Sequence, residues 1–276
     1  MNCYATLFIN WIAADNGHLE YLLQKRIKPE VGLQHGGFTL PPDRHKEVAA
    51  IIKDHGLGCS IHLPFFGIQP GVGFDELWRS SRETLLRALE IAAWYEPDHL
   101  IGHPEYHAEY DSRAADLKQS AQDAADWPGD RWLERSAQIW AELLQLSPAR
   151  LYLENTNDQS PRAILSLLEF LPDQAAMCFD LGHWFSAAGG STRRNLPQWI
   201  ELAAARLGHL HLHDNHGRED LHLGIGRGEI DFDEFLSLLR AQGLRLTLTL
   251  EAHSIENLNQ SLAWLGKLPP DSPLIY

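Results

Sequence analysis

An acid or a histidine closes one apolar, strand-like run after another in this chain. The runs are Ser60-Ile-His62, Ile101-Gly-His103, Leu151-Tyr-Leu-Glu154, Cys178-Phe-Asp180, His209-Leu-His-Leu-His213 and Thr247-Leu-Thr-Leu-Glu251. Two further pairs stand just past such ends, Asp180-x-x-His183 and Asp220-x-His222. Carboxylates and imidazoles are costly to bury singly. Gathered at the same point of successive strands, they imply one shared polar site at one end of a parallel barrel. Divalent metal ions satisfy such a mixed oxygen and nitrogen set. Each member has a plainer reading when taken alone: His62 or His103 as a core histidine, Glu154 as an ion-pair partner, Asp180 as a turn or cap residue. The plain readings fail for the set.

The elements that must position these groups follow from the hydrophobic rhythm. Strands are expected near 4–10, 29–34, 58–63, 99–103, 150–155, 176–181, 208–214 and 245–252. Helices are expected near 18–27, 42–55, 75–95, 130–146, 161–170, 197–206, 231–241 and 255–266. Pro41-Pro42-Asp43, Ser160-Pro161 and Asp231-Phe-Asp233 read as helix starts, and Gly56 and Gly243 as C-caps. Eight βα units in 276 residues fit a single α/β domain, a (β/α)8 TIM barrel over 1–276. A doubly wound open sheet is the alternative, but it gathers ligands at one switch point. Here the chemistry hangs on strands spread along the whole chain. The long connections after strands, 64–74, 104–129 and 184–196, fall on the catalytic face, where lids and binding residues belong. The segment 104–129 is expected to cover the site, with Tyr106 or His107 reaching inward.

Period-two geometry puts His209, His211 and His213 on one inward face. His209 and His213 read as polar barrel filling rather than ligands, and Asp214 and Asn215 as turn formers. Trp184, Arg193 and Arg227 are the candidate substrate contacts; the other tryptophans read as packing.

A formal net charge of −14 disfavours nucleic acid as the main partner. The three cysteines, Cys3, Cys59 and Cys178, show no disulfide framework or metal knuckle. No leader or membrane-spanning run is visible, so the chain reads as a cytoplasmic protein acting on a small molecule.

The residues also carry a family resemblance. Leu153-Glu-Asn-Thr156, Phe179-Asp-Leu-Gly-His183, His211-Leu-His-Asp214, Asp220-Leu-His-Leu-Gly-Ile-Gly226 and Leu250-Glu251 together resemble the xylose isomerase-like TIM barrels. Ile61-His-Leu-Pro64 and Gly102-His-Pro104 match the upstream motifs of that superfamily. It includes endonuclease IV-like phosphodiesterases and sugar or sugar-phosphate isomerases and epimerases. In the first group the resemblance implies three zinc ions: one on His62, His103 and Glu154, one on Glu154, Asp180, His211 and Glu251, and one on His183, Asp220 and His222. In the second it implies a single metal on Glu154, Asp180, His211 and Glu251, with Glu154 and Glu251 as acid–base groups. All nine positions are filled.

The expectation is therefore a hydrolase of a small, phosphorylated substrate holding two or three divalent ions, zinc first, with manganese or iron as alternatives. Glu154 and Glu251 are its candidate catalytic residues. The apolar His62-Leu-Pro-Phe-Phe loop and the ending Thr249-Leu-Glu-Ala-His253 resemble the branch that cleaves the nucleotide loop of cobamides. A single-metal isomerase, a DNA-repair phosphodiesterase and a non-enzymatic metal-binding or ligand-sensing barrel are the alternatives.

Overall fold

In the computed structural model, which describes residues 3–14, 17–33, 40–105, 129–158, 160–187 and 195–275, eight parallel strands form a closed ring. They are β1 (Tyr4–Phe8), β2 (Lys28–Gly32), β3 (Ser60–His62), β4 (His99–Gly102), β5 (Arg150–Glu154), β6 (Ala175–Asp180), β7 (Leu207–Leu212) and β8 (Leu246–Leu250). Each pairs with the next, and β1 closes the ring against β8 through Tyr4–Thr249 and Ala5–Leu250. A short terminal strand, β9 (Leu274–Ile275), takes the lower part of the β8 edge, at Leu246 and Thr247, that β1 leaves uncovered. The chain is a TIM barrel.

Helices cover the outside. The helix Asp130–Leu146 buries Trp132, Leu133, Ser136, Ile139, Trp140, Leu143 and Leu144, the three-and-four spacing that keeps one stripe against the strands. Pro42 opens Pro42–Asp54, and Asp231 caps Phe232–Ala241 by accepting from the Glu234 amide. Two short helices depart from the expected pattern. Ile9–Ala13 follows β1 directly, where the strand was expected to run on, and Leu181–Ala187 begins at the residue after Asp180, where a turn was expected.

The main apolar core lies between strands and helices. Inside the ring, among the described residues, Ile101, Tyr152 and Cys178 form a small apolar cluster, with Ala176 packed against it. Much of the remaining interior is polar. Glu30, Ser60, His99, His209 and Thr249 are all buried there. Ser60 and Thr249 donate to Glu30 Oε2, at 3.0 and 2.8 Å. A barrel interior is ordinarily filled with branched aliphatic residues; this one is largely polar below the C-terminal ends of its strands.

Candidate metal centre

The strand ends bring the nine expected ligands to one opening. His62 and Glu154 end β3 and β5, Asp180 ends β6, His211 lies in β7, and His103 and Glu251 follow β4 and β8. His183 lies in the first turn of Leu181–Ala187. Asp220 and His222 come from the connection after β7.

Glu154 is the centre of the arrangement. It is fully buried, and its two oxygens face different histidines. Oε2 lies 3.2 Å from His62 Nε2 and 3.1 Å from His103 Nε2. Oε1 lies 3.3 Å from His211 Nδ1, and the same nitrogen is 3.1 Å from Glu251 Oε1 and 3.9 Å from Asp180 Oδ2. Farther out, His183 Nε2 and His222 Nε2 meet Asp220 Oδ2 at 3.2 and 2.8 Å.

Hydrogen bonds behind these groups aim them. Asn155 bridges β5 and β6, its amide donating to the Asp180 carbonyl and accepting from the Asp180 amide. His62 Nδ1 donates to the Leu63 carbonyl, His183 Nδ1 to that of Asn155 and His222 Nδ1 to that of Glu251. A carbonyl only accepts, so the proton is on Nδ1 and the Nε2 lone pair points into the site. The connection bearing Asp220 and His222 is tied by Asp214, whose carboxylate accepts from the amides of Asn215, Gly226, Gly228 and Ile230. Asn215 donates to the Gly182 carbonyl. Asp214 and Asn215 thus shape the turn.

The donor set fits divalent metal. Glu154 Oε1, Asp180 Oδ2, His211 Nδ1 and both nitrogens of His213 are buried without a hydrogen bond. Two groups whose ligand atoms all lie within 4.8 Å of one another are His62, Glu154, His211 and Glu251, and His183, His213, Asp220 and His222. Buried polar atoms are rarely left unpaired, and convergent imidazole and carboxylate lone pairs are what zinc, manganese or iron require.

Residues 28–268 match the xylose isomerase-like TIM barrel family. The chain belongs to that family. Curated relatives include two uncharacterized proteins of Methanocaldococcus jannaschii. MJ1311 is 24% identical over 237 residues, 80% of this chain and 73% of the relative. MJ1614 is 21% identical over 242 residues, 86% and 87% of the two chains. Among solved structures, a D-tagatose 3-epimerase-like protein superposes with a TM-score of 0.75 at 19% identity, covering 97% of this chain and 96% of that one. A Thermus thermophilus protein soaked with zinc chloride gives 0.67 at 24% identity, covering 96% and 97%. Likeness at these identities speaks for the fold.

In this xylose isomerase-like barrel the side chains of the site form a lattice of buried ion pairs. Burial pulls the His103 imidazole down, but the charges and hydrogen bonds of Glu154 and Glu105 together outweigh it and raise the group to about 9. Burial pushes Glu154 and Asp220 up. The histidine charges and hydrogen bonds around them prevail and hold both carboxyls below the usual range. The cavity above the site, of about 520 Å³, is lined by the apolar Phe8, Phe65, Phe66 and Ile68 and by ligands with Thr156, Asn157 and Ser186. Phe65 stacks on the His103 ring at 4.6 Å. The 64–74 connection thus forms an apolar wall.

Three expected contacts fare differently. Trp184 is buried in the main apolar core and is absent from the cavity lining, because one residue's step around a helix turns it about 100° from His183. Arg227 pairs with Glu256 at 2.8 Å on the surface and does not reach the site. Arg193, Tyr106 and His107 lie outside the described residues. His213, expected as filling, stands at the rim, with Nε2 at 3.3 Å from Asp180 Oδ1 and 3.4 Å from Asp220 Oδ1. Glu30, which the sequence reading missed, places Oε1 3.2 Å from His211 Nε2.

Proposed function

We propose that this barrel is a metal-dependent hydrolase that cleaves a phosphodiester in a small molecule, the nucleotide loop of a cobamide being the best candidate. One observation carries the reading: the two oxygens of Glu154 address separate histidine sets, as a carboxylate shared by two ions does. His62 and His103 on one side, and Asp180, His211 and Glu251 on the other, would each hold an ion, and His183, Asp220 and His222 a third. Bound there, such ions lower the pKa of water and neutralise phosphodiester oxygens. The protein's own residues do the rest. Glu154 and Glu251 fix the donor geometry, and Glu251 is placed to move a proton at the reacting face. Phe65, Phe66 and Ile68 offer an apolar platform that limits water, while Thr156, Asn157 and Ser186 supply polar contacts in the same cavity.

A second reading has its own support. Glu154 and Glu251 flank His211 in the arrangement a one-metal epimerase needs for proton transfer beside a carbonyl. Solved structures of similar fold include a D-allulose 3-epimerase from Methylomonas and a D-psicose 3-epimerase from Clostridium cellulolyticum. That reading leaves His62, His103, Asp220 and His222 without a task. The deciding experiment runs zinc- and manganese-loaded protein against cobamides, simple phosphodiesters and abasic DNA, beside ketose and ketose-phosphate epimerisation. Cleavage of a small phosphodiester is expected. Epimerisation with no phosphodiester cleavage refutes the proposal.

A further inference from the structure

The four polar side chains at the outer edge of the site do more than the expected trio could. His183 and His222 each spend Nδ1 on a backbone carbonyl and turn Nε2 toward Asp220. His213 joins them from below. Its Nε2 is 3.4 Å from Asp220 Oδ1, and its ring stacks on His222 at 4.0 Å. The ring is fully buried and its nitrogens make no aligned hydrogen bond; Nε2 faces only carboxylates, Asp180 Oδ1 at 3.3 Å and Asp220 Oδ1 at 3.4 Å. A neutral imidazole carries one N–H and one lone pair, and leaving both unmatched in the interior is costly.

The surroundings are built to accept that ring. A Cβ on Gly182 would stand 2.0 Å from His213 Cε1, so only glycine lets the β6 end and the ring share this space. His222 holds a left-handed backbone, φ 48°, which costs a side chain of its kind energy and persists where surrounding structure insists on it. Asn257 donates to the His222 carbonyl and secures that conformation.

We propose that His213 is a metal ligand, and that His183, His213, Asp220 and His222 form a site complete in protein side chains. The inference rests on the polynuclear reading above and deepens it. Three imidazoles and one carboxylate make the closed tetrahedral set of a structural zinc ion, whereas catalytic zinc keeps one position for water or substrate. The outer ion is therefore a permanent fixture of the rim, a fixed positive charge beside Asp180. The ions on Glu154 keep their open positions.

The test begins with the wild-type protein. Crystals soaked in zinc chloride, with anomalous maps at the zinc edge, should place His213 Nε2 about 2.0–2.1 Å from the outer ion. Cobalt loading should give the intense visible bands of four-coordinate Co(II) from this site. In His213→Gln the zinc equivalent that resists chelator longest should be held at least about tenfold more weakly, since losing even a supporting residue costs 10–100-fold in affinity. Those bands should also weaken. An outer ion bound by His183, Asp220, His222 and solvent, with His213 out of reach, overturns this inference and leaves the polynuclear reading standing. A central ion with no outer ion at any zinc concentration overturns both. If His213→Gln fails to fold, the wild-type map and cobalt spectrum decide alone.

Discussion

His209 in β7 and His213, the first residue past its end, point to the same inward side, four residues apart, and meet opposite fates. His209 sits on the barrel floor. Its Nδ1 and Nε2 contact the hydroxyls of Thr247 and Thr249 at 2.8 and 2.9 Å, and its ring stacks on Tyr152. His213 sits at the rim with both nitrogens unmatched and two carboxylates within 3.4 Å. Residue type and strand face are identical. What separates the two is the partner at each nitrogen: His209 meets a hydroxyl at both, although Glu30 is near, whereas His213 meets only carboxylates. A buried histidine with both nitrogens matched is finished; one facing only carboxylates calls for a cation.

The largest break in that contrast should come from Glu154→Gln, which removes the charge both histidine sets share. Turnover should fall roughly a thousandfold or more, about 4 kcal/mol, together with loss of bound metal by elemental analysis. Retained metal with retained activity would show that Glu154 is not shared. His209→Ala should move in the other direction. It should cost about 1–3 kcal/mol of stability in denaturant unfolding, while the metal content of the folded fraction stays that of wild type.

Glu30→Gln sharpens the boundary between floor and rim. Its carboxylate touches His211 from below, so the variant should weaken central metal binding about tenfold, read by chelator competition. Unchanged affinity would assign Glu30 to the floor alone. The metal-free protein should also respond to pH. His103 is raised in the folded state to about 9, from an ordinary value near 6.5. Its pairing therefore stabilises fully below about pH 6.5 and is lost as pH rises through 9. Tm of metal-free protein should fall over that window, and that of metal-loaded protein should not, because the ion replaces the proton. The smallest effect belongs to Arg227→Ala, which breaks a surface pair worth about 0–1 kcal/mol and should leave kcat/KM within about twofold.

The barrel was legible because six of its eight strands carry their own punctuation, an apolar run closed by an acid or histidine. Glu30 escaped notice because it sits in the middle of Lys28-Pro-Glu-Val-Gly32 and does not close the run, while its depth depends on pairing with β1 and β3. The height of His213 was hidden for a related reason. Its neighbours across β6 follow from a register shift at Met177–Cys178 that no local pattern encodes. Trp184 misled by adjacency, since neighbours along a helix face different ways. Arg227 misled because the path of the connection after β7 is set by the Asp214 carboxylate.

That carboxylate has a consequence for how the protein acquires its ions. By gathering four amides from a stretch of sixteen residues, Asp214 holds the loop in place through protein contacts alone. The conformational entropy of ordering Asp220 and His222 is therefore already spent when an ion arrives. Capture becomes the filling of a finished mould rather than the folding of a loop around its cargo.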